Sequence, residues 1–239
     1  MNLRHNYYWF KSALDSDTCD RIKELGVNNI PKNANTFGDN SKHNLPEAEP
    51  QTDKTLSEIK DKETYVRDSK VSWLNDQWLY DTIIPFVNEA NHKAGWGWDI
   101  DSYEDFQFTV YDKDGFYGWH QDGSSDHFGK MQRYIYGITD EPLKENGDLP
   151  DGYTKSNYLV GKVRKISLTI NLNEPDEYEG GNLKFDFGNH DKLKFHEVEE
   201  IRPKGSIIVF PSFLPHCITP ITRGTRYSLV LWCTGKPWK

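Results

Sequence analysis

A histidine and an aspartate stand two positions apart in the segment GFYGWHQDGSSD, residues 115–126. Side chains at positions i and i+2 of an extended strand point to the same side, so His120 and Asp122 can hold one metal ion between them. A His-x-Asp pair also arises by chance in a chain with 8 His, so it needs a further ligand. The third candidate is His216, which follows the apolar run SIIVF and a proline turn.

Two histidines and one carboxylate on one side of a metal ion leave open coordination positions. This facial triad is typical of non-haem Fe(II) oxygenases. Zinc held by two histidines, an aspartate and a water is the chemical alternative, as in a hydrolase. Because nothing near the three residues marks a general base, we favour iron.

Arg226 begins the mostly apolar strand segment RYSLVLW, ten residues after His216. A guanidinium in such a strand is costly unless an anion pairs with it, and its planar fork suits a carboxylate. The anion is either an internal Asp or Glu or the distal carboxylate of a dicarboxylate co-substrate held beside the metal.

Two helices are predicted ahead of most of the strands. Apolar residues at helical spacing after candidate N-caps such as Asp15 predict a helix near 16–25, with Gly26 ending it. A second amphipathic helix is predicted within 75–95, where Pro85 should kink or break it because proline lacks a backbone donor.

Beyond residue 100 the apolar residues recur with period 2, which predicts strands. The strand segments are 105–111, 163–173, 181–187, 192–198, 205–211 and 226–233. Helices followed by several turn-separated strands indicate a mainly β (α+β) fold, an antiparallel sandwich or barrel with N-terminal helices.

Two long segments interrupt this pattern. Residues 33–60 are polar and turn-rich, which predicts a surface loop. Residues 123–162 contain four Tyr, six Gly and two Pro. A loop of this length beside the candidate metal ligands is typical of a functional lid, so we expect it to cover the substrate.

Composition limits the range of functions. The chain has 239 residues, 36% of them hydrophobic, and a net charge of -8. It offers no global field for polyanions, so nucleic acid is an unlikely partner. Three distant cysteines without a C-x-x-C pair favour a reducing compartment. Without an apolar leader or a membrane-length apolar run, we expect a soluble cytoplasmic protein, and the oligomeric state stays open.

Three segments resemble a known family: VYDKDGFYGWHQD, SLTINLNEPDEYEGGNLKF and PKGSIIVFPSFLPHCITPITRGTRYSLVLW. In this order they are similar to the 2-oxoglutarate- and Fe(II)-dependent dioxygenases, in the prolyl 4-hydroxylase-like branch that includes the PKHD-type hydroxylases. The resemblance covers roughly residues 103–234. It implies a double-stranded β-helix of the jelly-roll or cupin type, with N-terminal packing helices.

The resemblance also implies roles for individual residues. It implies three iron ligands, His120, Asp122 and His216. Arg226 matches the residue that pairs with the far carboxylate of 2-oxoglutarate, and Tyr111 matches a tyrosine that assists it. Asn171 lies on the strand that lines the co-substrate pocket in the family.

The implied activity is hydroxylation of an unactivated C–H bond with Fe(II), 2-oxoglutarate and O2, releasing succinate and CO2. The expected enzyme is a procollagen-proline 4-dioxygenase-like prolyl 4-hydroxylase that acts on a proline-containing peptide or protein, with L-ascorbic acid as a reductant. The alternatives are the same chemistry on a free amino acid, another side chain or a nucleobase, and a non-catalytic binding module.

The expected organisation is a single dioxygenase domain, 1–239. In it, 1–100 forms a helical support region, 103–234 the double-stranded β-helix core, and 123–162 the substrate-covering loop.

Overall fold

Most of the chain is described by a computed structural model. The described residues are 5–29, 31–34, 36–37, 65–122, 130–188 apart from positions 137, 140–141, 144–146, 148 and 151, and 195–238. The surface loop predicted at 33–60 lies almost wholly outside these residues. None of the described helices has both the length and the apolar composition needed to cross a bilayer.

One large antiparallel sheet, here the major sheet, carries the longest strands. Its order is β1 (Tyr8–Phe10), β15 (Ile207–Pro211), β11 (Val163–Asn171), β18 (Arg226–Gly235), β7 (Phe106–Tyr111), β5 (Lys70–Leu74) and β2 (Lys32–Asn33), with β6 (Ser102–Tyr103) paired to β18. The three longest strands lie side by side at its centre, which places the most regular hydrogen bonding in the middle of the sheet.

A second sheet, here the minor sheet, faces the first. Its order is β14 (His196–Glu197), β13 (Leu183–Phe185), β16 (His216–Ile218), β8 (Phe116–His120), β4 (Tyr65–Asp68) and β3 (Thr36–Phe37). Two short pairs complete the described strands: β12 (Tyr178–Gly180) with β17 (Ile221–Gly224), and β9 (Gln132–Arg133) with β10 (Tyr153–Thr154). This double-stranded β-helix confirms the predicted fold class.

The outer face of the major sheet forms the main hydrophobic core. Alternate residues of its central strands, among them Leu168, Leu229 and Phe108, pack against two helices. These are α1 (Ser16–Asn28) and α2 (Gln77–Lys93). Because this core lies outside the barrel, it fixes the sheet without filling the space between the sheets.

The inner face of the same strands is largely polar. Its members include Thr109, Tyr111, Ser167, Thr169, Asn171, Arg226, Ser228 and Trp232. At one end the space between the sheets is apolar, with Phe185 of the minor sheet against Phe210 of the major sheet, ring centroids 5.0 Å apart. The polar remainder is buried as well, so it is suited to enclosing a polar ligand.

Two details of the helices differ from expectation. Helix α1 is capped by Asp15, whose Oδ1 accepts from the backbone N of Thr18 at 2.7 Å, but it does not end at Gly26. Gly26 is buried within the helix, where a side chain would collide with the ring of Phe108. Helix α2 runs through Pro85 without a break, so of the two expected effects the break is wrong and the kink stays a prediction.

The first 100 residues contribute more than supporting helices. Strand β5 pairs with β7 over five residue pairs in the major sheet, and β4 pairs with β8 in the minor sheet. In the predicted strand 192–198, the described residues form only the two-residue β14, and a 3-10 helix, Glu199–Ile201, follows it.

The predicted lid, 123–162, is described only in part. Its last residues dock on β6, because the hydroxyl of Tyr158 donates to the carbonyl of Asp101 at 2.5 Å and Lys162 Nζ donates to the Ser102 hydroxyl at 2.8 Å. Farther from this anchor, Tyr136 is 85% exposed. Its role as a substrate cover stays a prediction.

Candidate active site

The two candidate histidine ligands are neighbours across one strand pair. His120 ends β8 and lies directly opposite His216, the first residue of β16. Their ring centroids are 4.1 Å apart, and a register shift separates this pair from the next one at Ile218. Sequence spacing gave no indication of this pairing, which brings together residues almost a hundred positions apart.

Asp122 reaches the same place from the loop after β8. Its backbone N donates to the carbonyl of Ser212 at 2.9 Å, which fixes the loop to the end of β15. One carboxylate oxygen lies 3.8 Å from Nε2 of His120 and the other lies 3.6 Å from Nε2 of His216. The three ligand atoms lie within 4.8 Å of one another, close enough to bind one metal ion.

Backbone carbonyls fix the tautomer of both histidines. Nδ1 of His120 lies 2.8 Å from the carbonyl of Gly118, and Nδ1 of His216 lies 2.9 Å from that of Leu214. Because a carbonyl can only accept, each Nδ1 must carry the proton and each Nε2 presents a lone pair toward Asp122. The ring of Tyr117 stacks on His120 at 3.5 Å and holds its orientation.

The local electrostatics favour the metal-binding protonation states. Burial, together with the nearby His216, lowers the pKa of His120 to about 3. Burial alone would raise the pKa of Asp122, but the two histidines facing it hold that pKa below its ordinary value. At neutral pH the site therefore offers a neutral imidazole and an ionised carboxylate, the forms that bind a cation.

Arg226 is the largest fully buried side chain among the described residues, at 1% exposure. Its Nη1 makes one long hydrogen bond, 3.4 Å, to the hydroxyl of Ser228. Its Nε and Nη2 are buried without a hydrogen-bond partner, and no described carboxylate pairs with it. Of the two anions considered from the sequence, the internal one is thus absent from the described part of the chain.

Tyr111 and Gly181 shape the space around this guanidinium. Tyr111 is the register partner of Arg226 on β7, and the guanidinium carbon lies 5.5 Å from its ring centroid. Gly181 has a φ of +60°, and a Cβ there would overlap the Ile221 side chain and lie 3.0 Å from Cδ of Arg226. A glycine is required because both the backbone conformation and the space exclude a side chain.

Asn171 is buried on the same face as Arg226, but its amide is engaged elsewhere. Its Nδ2 donates to the carbonyls of Asn173 and Arg202 at 2.9 and 2.7 Å. These contacts fix the turn after β11, so the structure gives the side chain a structural role. Binding of co-substrate by Asn171 stays a prediction.

Sequence reasoning missed several residues near the triad. Arg164 on β11 makes a bidentate ion pair with Glu104, both contacts 2.6 Å, and stacks on Trp232 at 4.0 Å. Arg67 on β4 is also buried, beside Tyr117. Arg67 lies on a strand whose sequence shows no clear alternation, and only the pairing of β4 with β8 reveals its location.

The residues present fit both Fe(II) and 2-oxoglutarate. Two imidazole nitrogens and one carboxylate form a facial donor set that leaves positions for a bidentate ligand and O2. The two unpartnered nitrogens of Arg226 suit the distal carboxylate of a dicarboxylate. Fold and site together define the class: a double-stranded β-helix protein with a two-histidine, one-carboxylate metal centre.

Comparison with known families agrees with this class. The 2OG-Fe(II) oxygenase superfamily matches residues 106–234, more than half of the chain. The chain therefore belongs to that superfamily, which confirms the family expected from the sequence. A PKHD-type hydroxylase of Synechococcus sp. is 38% identical over 69 residues, which span 29% of this chain and 29% of that relative.

Solved structures of prolyl hydroxylases share the fold. A Pseudomonas putida prolyl-4-hydroxylase superposes with a TM-score of 0.53 at 18% identity, covering 96% of this chain and 92% of that one. A Trichoplax adhaerens prolyl hydroxylase, solved with a hypoxia inducible factor peptide fragment, gives 0.57 at 13% identity, covering 95% and 83%. At such low identity these likenesses extend to the fold alone.

Proposed function

We propose that this protein is a 2-oxoglutarate- and Fe(II)-dependent dioxygenase that hydroxylates an unactivated C–H bond. The observation that carries the proposal is the unpartnered guanidinium of Arg226, on the face of the major sheet that is turned to the minor sheet with its cluster of His120, Asp122 and His216. A module that had lost the chemistry would have no reason to keep a buried, unsatisfied guanidinium together with all three metal ligands.

The chain's own groups divide the work as follows. Nε2 of His120, Nε2 of His216 and the Asp122 carboxylate would hold the metal. Arg226 binds the far carboxylate of 2-oxoglutarate, with Tyr111 beside it, and so sets the direction in which the co-substrate reaches the metal. When bound, iron supplies the oxidation in which O2 and 2-oxoglutarate are consumed and succinate and CO2 are released.

A proline residue of a peptide or protein is the substrate we propose. In support, the prolyl hydroxylases of Pseudomonas putida and Trichoplax adhaerens share the fold, and the latter was solved with a peptide. The exposed ring of Trp73, whose centroid lies 6.1 Å from that of the buried Trp232, offers an apolar surface for a proline ring. We also propose L-ascorbic acid as the reductant that keeps iron in the Fe(II) state.

The test begins with anaerobic addition of Fe(II) and 2-oxoglutarate, followed through the weak visible metal-to-ligand band. Oxygen is then admitted, and succinate is measured with proline-containing peptides, with and without ascorbate. Peptide mass is recorded in parallel. We expect the band to form in the wild type, and certain peptides to accelerate succinate release and to gain one oxygen atom.

Variants separate metal binding from co-substrate binding. His120→Ala should abolish the band, and Arg226→Ala should raise the 2-oxoglutarate concentration needed to form it. His92→Ala is the matched control, because this histidine is exposed on α2, and it should behave as the wild type. A wild type without a band would refute the proposal, whereas a band without any responsive peptide would refute only the prolyl substrate.

A further inference from the structure

A second buried guanidinium lies on the opposite sheet from Arg226. Arg67 belongs to β4 of the minor sheet and is 7% exposed. Its Nε donates to the hydroxyl of Ser69 at 2.7 Å, which anchors one edge of the fork. Its Nη2 is buried and has no hydrogen-bond partner.

No carboxylate in the described part of the chain forms an ion pair with Arg67. Arg164 and Arg223 differ in this respect, since Arg164 pairs with Glu104 and Arg223 with Glu179. A buried donor without a partner destabilises the folded protein, and a charged donor does so more strongly. The site is therefore built for an anion that the described residues do not supply.

The location of Arg67 connects it to the metal centre. Its register partner on β8 is Tyr117, and its guanidinium carbon lies 4.6 Å from the Tyr117 ring centroid. That ring stacks in turn on the His120 imidazole at 3.5 Å, with the planes 11° apart. Guanidinium, phenol and metal-ligand imidazole thus follow one another, with a single aromatic ring between Arg67 and His120.

We propose that Arg67 binds a carboxylate of the molecule that is hydroxylated. This inference rests on the proposed dioxygenase function and assigns the substrate a charge: an anionic group close to the oxidised carbon. Arg226 serves the co-substrate from the major sheet, and Arg67 serves the substrate from the minor sheet. The carboxylate comes either from an acidic side chain of a peptide or from the α-carboxylate of a small amino acid.

A guanidinium with one edge anchored and one nitrogen free distinguishes ligands by their charge more than by their shape. A carboxylate oxygen placed at Nη2 makes a charge-assisted hydrogen bond, roughly twice as strong as a neutral one. An amide of the same shape offers a neutral oxygen and an additional donor that faces the cation. We therefore expect a carboxylate ligand to bind at least about tenfold more tightly than its amide isostere.

The experiment uses matched probes on the protein loaded anaerobically with Fe(II) and 2-oxoglutarate. Affinity is measured by calorimetry for N-acetyl-L-proline against N-acetyl-L-prolinamide, and for the peptide Ac-Ala-Pro-Glu-NH2 against Ac-Ala-Pro-Gln-NH2. The first pair places the carboxylate on a small molecule and the second on a peptide side chain. Wild type, Arg67→Gln, Arg67→Lys and the exposed control Arg223→Gln are compared.

We expect the wild type and Arg223→Gln to prefer the carboxylate in at least one pair, Arg67→Gln to bind both members alike, and Arg67→Lys to keep part of the preference. The ratio of the two affinities within a probe pair is insensitive to a general loss of folded protein. A purely structural role of Arg67 would therefore leave this ratio unchanged. Preference in only one pair identifies the source of the carboxylate.

Two results would overturn the proposal: a wild type that binds each carboxylate and amide equally, or an Arg67→Gln variant that keeps the preference. The visible band is recorded in the same samples. Its absence in the wild type would refute the dioxygenase function itself, whereas a band without charge discrimination refutes the role of Arg67 alone.

Discussion

Replacing Arg226 by methionine should stabilise the protein in the absence of 2-oxoglutarate. The same replacement should nearly abolish the binding of 2-oxoglutarate. Two guanidinium nitrogens are buried without partners, and each unsatisfied buried donor costs about 1–3 kcal/mol. Methionine has a similar stem and no donors, but it leaves part of the guanidinium volume unfilled. The expected net gain in the free energy of unfolding is about 1–2 kcal/mol.

The loss of binding follows from the same two atoms. A distal carboxylate that accepts from both nitrogens makes two charge-assisted hydrogen bonds worth about 1.5–3 kcal/mol each. Their removal should raise the Kd for 2-oxoglutarate by a factor of about 10²–10⁴. Stability without ligand and affinity for ligand should therefore change in opposite directions.

Thermal unfolding under anaerobic conditions measures both effects. In a chain of this size 1 kcal/mol corresponds to about 2–4 °C, so the Tm of Arg226→Met without 2-oxoglutarate should rise by about 2–8 °C. Adding 2-oxoglutarate to protein already loaded with Fe(II) should raise the Tm of the wild type further by mass action and leave that of the variant unchanged. Arg223→Met, at an exposed ion pair, is the matched control and should shift neither value appreciably.

A variant that is less stable than the wild type without ligand would show that the two nitrogens have partners in solution. An unchanged response of Arg226→Met to 2-oxoglutarate would show that the co-substrate carboxylate binds elsewhere. Either result refutes the assignment of this guanidinium, and the second refutes it even if the stability gain is observed.

Two further predictions concern glycine geometry and the thiols. Gly181→Ala should be about 1–3 kcal/mol less stable than Gly97→Ala in chemical unfolding, and it should weaken 2-oxoglutarate binding. Both positions have a positive φ, but only a side chain at position 181 would crowd Arg226. Equal stability of the two variants would contradict the packing argument. Burial raises the pKa of the Cys19 thiol to about 11 and that of Cys217 to about 12, so the native protein should not react with Ellman's reagent at pH 8. After unfolding in guanidinium all three thiols should react; rapid labelling of the folded protein would show that the buried strands open readily.

The residues of the candidate triad could be predicted from local spacing, from strand ends and from the family resemblance, although their meeting depends on the pairing of β8 with β16. His120 and Asp122 are two positions apart beyond a run of aromatic residues, and His216 follows an apolar strand and a turn. The period-2 pattern also indicated the long central strands β11 and β18. These features need no knowledge of which strand pairs with which.

Features that depend on pairing could not be predicted. Polar and apolar residues do not alternate in β4 or at the start of β5, where Lys70 and Val71 are followed by a serine and a tryptophan. The sequence therefore gave no indication that Arg67 is buried in a strand. Gly26 has the chemistry of a helix end, but the helix continues to Asn28, and it is the close contact with the ring of Phe108 that requires a glycine there. Asn171 was assigned from its strand, but the turn it stabilises depends on Arg202, thirty-one residues away.

The two faces of the major sheet separate stability from binding. On β18, Leu229 and Leu231 face the helices and belong to the main core, whereas Arg226, Ser228 and Trp232 face the minor sheet. Because alternate residues of one strand serve the two tasks, truncating an outward leucine should lower stability by about 2–5 kcal/mol while the metal ligands and Arg226 stay in place. The inward residues do not belong to the main core. The sheet can therefore keep a buried guanidinium without a hydrogen-bond partner until the co-substrate binds.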